Sequence, residues 1–452
     1  MGGAARGAPP AALAGPRRRV AVVGSGIAGL SAAWALSHHA DVTLYEAAHY
    51  FGGHTHTVDI TLQGRQHGVD TGFLVFNERT YPLLIQLFQQ LGVDVATSDM
   101  SFSVQLPELP LEWSGSNLNG VFAQRRNLAR PAFWGMLKDL LRFNRLCTEL
   151  AERGSDAALS RSVDDFLLQH RFGDAFRRWY LLPMVACIWS CPTSQMLQFP
   201  MHTLIRFCHN HGLLQLTQRP QWFTVRGGAR HYVDKLLPRI QHKRLGCAVH
   251  AVERSGTRLR VQSSAGAEWF DEVVMAGHSD QSLALLTNSS LQERQILGSI
   301  GYHRNRAVLH TDASLLPRRR RAWAAWNYEH GGSPHQHGRE DRSVCLHYLL
   351  NRLQPLPWQQ PVLVSLNPVR EPTAALVLDE FDYAHPVFDL PAVRAQERLH
   401  EIQGRQHLWY CGAWTRYGFH EDGLLSGLSM AKRMLNHWAA HPAAQAPTEG
   451  AA

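Results

Sequence analysis

A glycine-rich turn near the N-terminus constrains the fold more than any other feature of this sequence. Residues 20–23 form a short β-branched run, and the motif GSGIAG at residues 24–29 follows it directly. Residues 27–37 alternate small and apolar side chains at helical spacing, and residues 41–45 read as a second strand that ends at Glu46. The pattern predicts a strand–turn–helix–strand unit, and therefore an α/β fold with a parallel sheet.

The glycines of this turn have separate roles in binding a dinucleotide. The first permits a tight turn, the second lets the backbone approach a pyrophosphate, and the third lets the helix pack closely on the strand. The pyrophosphate would lie against helix N–H groups and the positive end of the helix dipole. The candidate contacts are therefore Gly24, Ser25, Gly26, Ile27, Ala28 and Gly29.

Glu46 and its neighbour Ala47 extend this candidate site. A carboxylate at the end of the second strand accepts hydrogen bonds from ribose hydroxyls and repels a 2′-phosphate, which disfavours NADP. FAD and NAD share the fingerprint, so the motif alone does not choose between them. A glycine-rich turn without a ligand is the remaining alternative.

Composition limits the classes of function. Hydrophobic residues make up 45% and charged residues 18%, which excludes a mainly disordered protein. The net charge is +8, but the basic residues are scattered apart from short clusters at 17–19, 125–126 and 318–321, so nucleic-acid binding is not expected. The seven cysteines include no CxxC pair, so neither a disulfide framework nor a zinc ribbon is predicted, and a reduced, cytoplasmic setting is expected.

The segments after the N-terminal unit alternate between strands and helices. Helices are predicted at residues 80–91, 131–150, 163–190 with a break near Pro183, and 423–438. A β-meander is predicted at residues 247–252, 259–262 and 272–275, with further strands at 307–311, 362–366 and 408–411. Residues 331–340 are expected to form a polar loop.

The residues that follow Glu46 resemble a known superfamily. Gly52-Gly53-His54-Thr55 stands at the spacing at which the flavin-containing amine oxidase and phytoene desaturase superfamily has a Gly-Gly pair and usually an arginine. His54 occupies the arginine position, and a neutral imidazole holds a phosphate less strongly than a guanidinium. Gly53, the backbone and Thr55 are therefore expected to contribute to the phosphate contact.

Other segments resemble the same superfamily in order. Thr71 and Gly72 stand in the stretch that passes close to the flavin ring, and Val249 stands on the strand that faces adenine. The pairs Gly412-Ala413 and Gly423-Leu424 resemble the C-terminal flavin motif. The resemblance implies FAD, bound non-covalently because no cysteine precedes the C-terminal helix at the position of a flavin thioether.

The whole folded chain, from about residue 19 to about residue 438, is similar to one bacterial subfamily. The segments that carry this likeness are GHTHTV, VDTGFLVFNERTYP, RPQW, GFHEDGL and residues 207–216. Members are described as predicted FAD/NAD-binding, amine-oxidase-like oxidoreductases, often beside or fused to proteins resembling cyclopropane-fatty-acid-synthase methyltransferases. That association implies a fatty-acyl or related lipid substrate and a lipid methyltransferase as partner.

The resemblance also predicts the domain organisation, a discontinuous Rossmann-like FAD-binding domain with a β-meander and an inserted α+β substrate domain. The FAD-binding domain is assigned to residues 19–80, 221–300 and 406–440, and the substrate domain to residues 81–220 and 301–405. Residues 1–18 and 441–452 are expected to be disordered.

Two residues are candidates for catalysis. Amine oxidases of the superfamily usually place a lysine near flavin N5, and Arg306 begins the corresponding strand here, where it cannot act as a neutral base. His420 lies just before the C-terminal helix and titrates near neutrality in its ordinary state, so it is a candidate proton acceptor or substrate-orienting group.

These observations predict an FAD-dependent oxidoreductase that oxidises or desaturates a hydrophobic substrate. The alternatives are an amine oxidase that produces hydrogen peroxide and a non-catalytic flavin-binding partner of a lipid methyltransferase.

Residues 131–150, with Arg125, Arg126 and Arg130 before them, either pack inward or lie on a membrane. Packing is favoured, with at most peripheral contact at the inner membrane. Histidine pairs at 54/56, 209/211 and 335/337 lack further ligands at suitable spacing, so no metal is predicted.

Overall fold

The computed structural model describes residues 17–153, 161–189, 193–215, 219–330 and 344–441. The strands in these ranges are β1 (Arg19–Val23), β2 (Asp41–Tyr45), β3 (Thr57–Leu62), β4 (Arg65–Asp70), β5 (Phe76–Asn77), β6 (Val95–Ser98), β7 (Phe102–Leu106), β8 (Leu111–Ser114), β9 (Trp222–Val225), β10 (His242–Arg244), β11 (Val249–Ser255), β12 (Arg258–Ser263), β13 (Gly266–Phe270), β14 (Glu272–Met275), β15 (Tyr302–His310), β16 (Trp326–Glu329), β17 (Cys345–Leu349), β18 (Leu363–Leu366), β19 (Val377–Pro386) and β20 (Leu408–Tyr410).

The helices in the same ranges differ widely in length. They are α1 (Ile27–Leu36), α2 (Pro82–Leu91), α3 (Leu118–Val121), α4 (Pro131–Arg153), α5 (Val163–Gln169), α6 (Asp174–Phe176), α7 (Leu182–Trp189), α8 (Thr193–Leu197), α9 (Met201–Asn210), α10 (Arg230–Leu236), α11 (Ser279–Leu285), α12 (Leu291–Leu297), α13 (Leu350–Leu353), α14 (Leu390–Arg398) and α15 (His420–Ala440). Across the described ranges, none of them combines the length and the apolar character needed to cross a membrane.

A five-stranded sheet in the order β10-β2-β1-β14-β20 forms the first layer, and all of its pairings are parallel. The inward side chains alternate along β1, as the strand period requires. Val20 and Val22 pack with α1, α10 and α15 on one face, whereas Ala21 packs with the antiparallel sheet β11-β12-β13 on the other. The predicted α/β class with a Rossmann-like parallel sheet is confirmed.

The predicted β-meander is correct in two strands and wrong in the third. Residues 266–270 form its third strand as β13, whereas residues 272–275 form β14 in the parallel sheet between β1 and β20. All four residues of β14 are buried, as expected for a strand covered on both faces of a parallel sheet.

Most predicted helices are confirmed within a few residues, but the break in residues 163–190 lies elsewhere. It falls between α5 and α6, where Arg171 has a φ of +52°. Pro183 instead lies in the first turn of α7, and a π-helical turn at Arg177–Leu181 precedes it, so the missing N–H of the proline does not end the helix. Predictions for residues 1–16, Ser190, 331–340 and 442–452 lie outside the described residues.

A seven-stranded sheet in the order β19-β15-β18-β17-β16-β7-β8 forms the second layer and packs with helices α4 to α9. Helix α4 turns Phe133, Met136 and Phe143 into this core, so the inward-packing interpretation holds for its apolar side. The two layers enclose a cavity between the turn that follows β1 and the face of the seven-stranded sheet that carries Trp326 and Tyr348.

Candidate active site

The cavity has a volume of about 520 Å³, within the range of ordinary ligand sites. The glycine-rich turn forms one end of it, and the start of helix α15 contributes to its wall. Predicted site residues that line this cavity are Gly24, Ser25, Gly26, Ile27, Ala28, Glu46, Gly53, His54, Gly72, Gly412, Ala413 and His420. The tertiary structure therefore brings together residues from both ends of the chain.

The glycine-rich turn leaves open the space that a pyrophosphate needs. A Cβ on Gly29 would lie 1.9 Å from the carbonyl oxygen of Gly24, which has a φ of +104°. A Cβ on Gly26, by contrast, would meet no atom within 4 Å. Gly29 is thus required by packing, whereas Gly26 is free of packing constraints and faces the cavity, as expected of the glycine that a phosphate approaches.

Glu46 lies where this cavity meets a second cavity of about 370 Å³. Both cavities are lined by Gly24, Glu46, Gly277 and Gln281, and the smaller one adds Ala47 and Val249. The Glu46 carboxylate accepts hydrogen bonds from the backbone N–H of Ser25 at 3.0 Å and of Ala48 at 2.9 Å. A dinucleotide with its adenosine in the smaller cavity and its second half in the larger one fits this arrangement.

Some of the predicted contact residues lie behind the cavity wall and do not line the cavity. Thr55 bonds the hydroxyl of Tyr232 at 2.5 Å, and Thr71 bonds the hydroxyl of Tyr383 at 2.7 Å. Gly423 and Leu424 lie in the first turns of α15, which packs on α1: a Cβ on Gly423 would lie 2.7 Å from a methyl carbon of Ile27. With Gly29, these residues position the walls of the cavity, and none of them lines it.

Three histidines gather beside the glycine-rich turn. The ring of His54 lies 5.2 Å from that of His385 and 6.2 Å from that of His278, and all three line the cavity. Nε2 of His54 is buried without a hydrogen-bond partner in the described part of the chain. Burial, and then the neighbouring imidazoles, hold the pKa of His54 well below its ordinary value. Burial also lowers the pKa of His385 to about 4.

The hydrogen-bond network fixes the tautomer of His385. The N–H of Arg306 donates to Oδ1 of Asn367 at 2.9 Å, so Nδ2 of Asn367 donates to Oδ1 of Asn305. Nδ2 of Asn305 then donates to Nδ1 of His385 at 2.9 Å. The proton of the neutral His385 ring is therefore on Nε2, which leaves this nitrogen available as a donor.

The side chain of Arg306 lies outside the cavity, which contradicts its candidacy for catalysis. The guanidinium is 38% exposed and pairs with Glu371 at 2.9 Å and with Glu380 at 2.7 Å. These hydrogen bonds raise the pKa of Arg306 above its already high ordinary value. The register of β15 turns this residue to the outer face of the sheet, so we assign it a structural role.

His420 lies in the cavity, but the expectation that it titrates near neutrality is wrong. Its ring stacks on Phe73 at 3.8 Å, and Nε2 bonds the hydroxyl of Tyr232 at 2.7 Å. Burial lowers the pKa of His420 to about 3, so the ring is neutral at physiological pH. The geometry favours the second predicted role, a neutral orienting group, over a proton acceptor.

The larger cavity contains an apolar chamber that was not predicted from the sequence. Its walls are formed by Trp113, Tyr180, Met184, Ile188, Phe207, Leu213, Trp222, Trp326 and Tyr348. These residues come from β8, α7, α9, β9, β16, β17 and the turns between them, and no local motif connects them. The segments 207–216 and RPQW marked part of this wall through their resemblance, but nothing in the pattern indicated a chamber.

A cluster on the opposite face of the seven-stranded sheet has the ligand types of a metal site. Ligand atoms of Glu329, Cys345 and His347 all lie within 4.8 Å of one another, and the three residues are buried. Nε2 of His347 already pairs with Glu329 at 3.0 Å, and Nδ1 bonds Ser365 at 2.7 Å. Arg370 also pairs with Glu329 at 2.8 Å, so this polar network is satisfied without an ion.

The histidine pairs 54/56 and 209/211 do not converge on a metal centre in the described structure. His54 faces the cavity, whereas His56 stacks on Tyr50 and bonds Tyr383 at 3.0 Å. His211 bonds the carbonyl oxygen of Phe207 at 3.0 Å. Residues 335 and 337 lie outside the described residues.

Comparisons with known proteins agree with this geometry. Residues 22–91 match the family described as NAD(P)-binding Rossmann-like domain. No curated protein sequence matches the chain. A proposed protoporphyrinogen oxidase from Exiguobacterium sp. 255-15 superposes with a TM-score of 0.65 at 16% identity, covering 93% of this chain and 99% of that one.

Two further solved structures share the fold. The cyclohexylamine oxidase from Brevibacterium oxydans IH-35A has a TM-score of 0.65 at 15% identity, covering 94% of this chain and 100% of that one. A CLA-producing fatty acid isomerase from P. acnes has a TM-score of 0.63 at 14% identity, covering 92% of this chain and 98% of that one.

The chain therefore has the fold of these solved proteins, and its residues 22–91 are similar to an NAD(P)-binding Rossmann-like domain. It shares this fold with the protoporphyrinogen oxidase and the cyclohexylamine oxidase structures over nearly its full length. The predicted resemblance is confirmed at this level.

We expect the three histidines to make the affinity for a bound dinucleotide depend on pH. Burial lowers the pKa of each of them in the free protein, and the two negative charges of a bound pyrophosphate would raise it. Binding then takes up protons, so we expect the dissociation constant of FAD to fall as pH is lowered from about 8 to about 6, by at most about tenfold per pH unit for each proton taken up. Fluorescence titration of the unloaded protein measures this trend.

Riboflavin, which lacks the pyrophosphate, is the matched control and should bind with little dependence on pH. A dissociation constant for FAD that stays constant over the same range would contradict a role for these histidines at the phosphate.

Proposed function

We propose that the protein is an FAD-dependent oxidoreductase that oxidises or desaturates a hydrophobic substrate, with a fatty-acyl chain as the favoured class. The observation that carries the proposal is the continuity of one cavity. It runs from the open space at Gly26, past His420, into the apolar chamber around Phe207 and Trp326. A substrate in the chamber would therefore lie next to a cofactor held at the glycine-rich turn.

The chemistry of the chamber favours a long apolar substrate with one negative group. Arg219 is the only Arg or Lys among the residues that line the cavity in the described structure, and Glu46 lies at the opposite, nucleotide end. Arg219 is exposed and donates from Nε to the carbonyl oxygen of Gln215 at 2.8 Å. Among the described residues, its terminal nitrogens have no hydrogen-bond partner, so they are available to a carboxylate. The fatty acid isomerase among the structural neighbours supports the same substrate class.

The residues of the chain supply positioning and exclusion of water. Bound FAD would supply the hydride acceptor. The aromatic and aliphatic walls keep an acyl chain away from water, and the neutral His420, held by Tyr232 and Phe73, orients groups at the junction of the two regions. These contacts require no charged side chain beside the reacting carbon.

An amine oxidase is the less favoured candidate, because no carboxylate of the described residues lines the apolar chamber to pair with a substrate ammonium. None of the lysines occupies β15, whose Arg306 pairs with glutamates outside. The amine oxidases among the structural neighbours keep the candidate open to test. Release of hydrogen peroxide with a primary amine, and none with acyl substrates, would support it.

The first experiment is the visible spectrum of the purified protein, with mass identification of what acid releases. An oxidised flavin spectrum and released FAD support the proposal, and anaerobic bleaching by a fatty acid then supports the substrate class. A colourless protein that does not take up added FAD overturns it. A loaded flavin that no acyl lipid or amine bleaches, in a protein that binds a lipid methyltransferase, would favour a non-catalytic partner protein instead.

An Arg219→Gln variant tests how the substrate is held. We expect it to weaken fatty-acid binding by about tenfold, since a charge-assisted hydrogen bond contributes roughly 1.5 kcal/mol or more. Binding of the methyl ester, which carries no charge, should be unchanged. Arg226→Gln is the control, because Arg226 pairs with Asp94 on the surface and does not line the cavity. Equal binding of acid and ester by the parent protein would contradict the role of Arg219.

A further inference from the structure

A group of large apolar side chains projects into solvent beside the apolar chamber. Leu109, Leu118, Leu128 and Trp134 are 43%, 78%, 49% and 49% exposed, respectively. They lie on the turn between β7 and β8, on helix α3, on the short 3-10 helix Arg125–Ala129 and on the first turns of α4. Such exposure of neighbouring apolar side chains is uncommon on the surface of a monomer and marks interaction sites.

Hydrogen bonds hold these elements in one arrangement. Nε1 of Trp134 donates to the carbonyl oxygen of Leu128 at 2.9 Å, and the rings of Trp134 and Phe122 lie 5.4 Å apart. The guanidinium of Arg130 donates to the carbonyl oxygen of Leu109 at 3.2 Å. The apolar side chains therefore belong to one preformed surface.

The fold adds a second arginine cluster to this surface. The backbone N–H groups of Arg318 and Arg319 donate to the carboxylate of Glu112 on β8, at 3.1 and 3.2 Å. A Cβ on Gly120 of α3 would lie 3.6 Å from the carbonyl oxygen of Arg321. The clusters at residues 125–126 and 318–321 are distant in the sequence, and these contacts bring them to the same side of the molecule.

We call this surface the basic–apolar face. It consists of Leu109, Leu118, Arg125, Arg126, Leu128, Arg130, Trp134 and Arg318 to Arg321. Its charge is predominantly positive, because Glu112 is buried and already paired with Arg319 at 3.3 Å. Glu108, on the same turn as Leu109, lies 4.0 Å from His330.

We propose that the basic–apolar face docks the protein on the surface of an anionic lipid bilayer. Leucine and tryptophan side chains surrounded by arginines match a bilayer interface, which offers negative headgroups above an apolar layer. A nucleic acid offers the negative charge but no apolar layer for Leu118 and Leu128. The face also adjoins the cavity, because Trp113 and Gly115 of the β8 segment line the cavity and Leu118 follows shortly after.

This inference goes beyond the proposed function and does not depend on it, since the docking surface contains no residue of the nucleotide site. The test is sedimentation of the full-length protein with two kinds of vesicle, phosphatidylcholine alone and phosphatidylcholine with phosphatidylglycerol. We expect binding to the anionic vesicles only, and a weakening as salt is raised.

Two pairs of substitutions separate the electrostatic and apolar contributions. Arg320→Gln with Arg321→Gln removes two charges, and we expect a loss of about 25-fold in the partition coefficient, at roughly fivefold per charge. Leu118→Ser with Leu128→Ser should lower it by about tenfold or more for each leucine. The matched controls are Lys432→Gln with Arg433→Gln, which are exposed on α15, and Leu291→Ser, which is 58% exposed on α12.

The results of these binding experiments decide which partner occupies the basic–apolar face. Loss of vesicle binding in both face variants, with the controls and the thermal unfolding temperature unchanged, supports the proposal. Parent protein that does not sediment with anionic vesicles, or face variants that sediment as the parent does, overturns it. A dimer of the parent that Leu118→Ser dissociates, or retention of duplex DNA in place of vesicles, would assign the face to those occupants and would also overturn the proposal.

Discussion

A Gly26→Ala variant is expected to fold as the parent chain does and to be purified without bound dinucleotide. Gly26 has a φ of −60° and a ψ of 172°, which alanine adopts without strain, and a Cβ there would meet no atom of the protein within 4 Å. The added methyl group would instead occupy the space into which a pyrophosphate must come. We therefore expect a loss of cofactor affinity of about 100-fold or more, as for steric exclusion of a backbone–phosphate contact worth roughly 3 kcal/mol.

Two other glycines provide the comparison. Gly135→Ala on α4 also adds a methyl group to open space; it should leave the cofactor content unchanged and raise the stability by about 1 kcal/mol or less, as expected for alanine in place of glycine in a helix. Gly29→Ala places a Cβ 1.9 Å from a backbone oxygen and should lower both. The measurements are FAD released per chain and the unfolding temperature of the unloaded protein. A Gly26→Ala protein that retains stoichiometric FAD would show that the phosphate lies elsewhere.

An Asp70→Ala variant is expected to lose about 3 kcal/mol or more of its free energy of unfolding, since the change leaves several buried donors without a partner. Asp70 is fully buried at the end of β4. Its carboxylate accepts from the N–H of Ala229 at 2.9 Å, from Nε2 of Gln354 at 2.7 Å and from Oγ1 of Thr57 at 2.5 Å. It thus connects β3, the start of α10 and the segment after α13.

Asp59→Ala is the matched control, because Asp59 lies on the adjacent strand β3 and also contacts α10, through Arg230. That ion pair is partly exposed, with side chains 36% and 37% accessible, so its removal should cost about 1 kcal/mol or less. Urea unfolding of the two variants measures the difference. If Asp70→Ala were no less stable than Asp59→Ala, the buried carboxylate would not hold these segments together.

The nucleotide-binding unit was predictable because its determinants are local. The three glycines of the turn, the run before them and Glu46 all lie within residues 20–46, and each is required by the conformation or the ligand contact of its own segment. The bounds of β1, α1 and β2 follow the side-chain periodicity for the same reason. The assignment of β14 failed because a short buried strand has no periodicity that reveals which sheet it joins.

Side-chain direction within the second sheet depended on strand register, which is a non-local property. Arg306 stands on the predicted strand, but its pairing with β19 turns the guanidinium outward to Glu371 and Glu380. The apolar chamber, the contact of His54 with His278 and His385, and the meeting of two arginine clusters near Glu112 likewise join residues far apart in the chain.

The sequence by itself therefore determined the dinucleotide turn, the parallel α/β class and the superfamily resemblance, because these depend on residue type and spacing over short segments. Only the tertiary structure decided which side chains line the cavity and which protonation state each of them has. His420 illustrates the reason: its identity and its place near the start of the C-terminal helix are readable from the sequence, but burial beside Phe73 and Tyr232 lowers its pKa to about 3. Solvation is set by every segment that packs around a group, and those segments are assembled only by the fold.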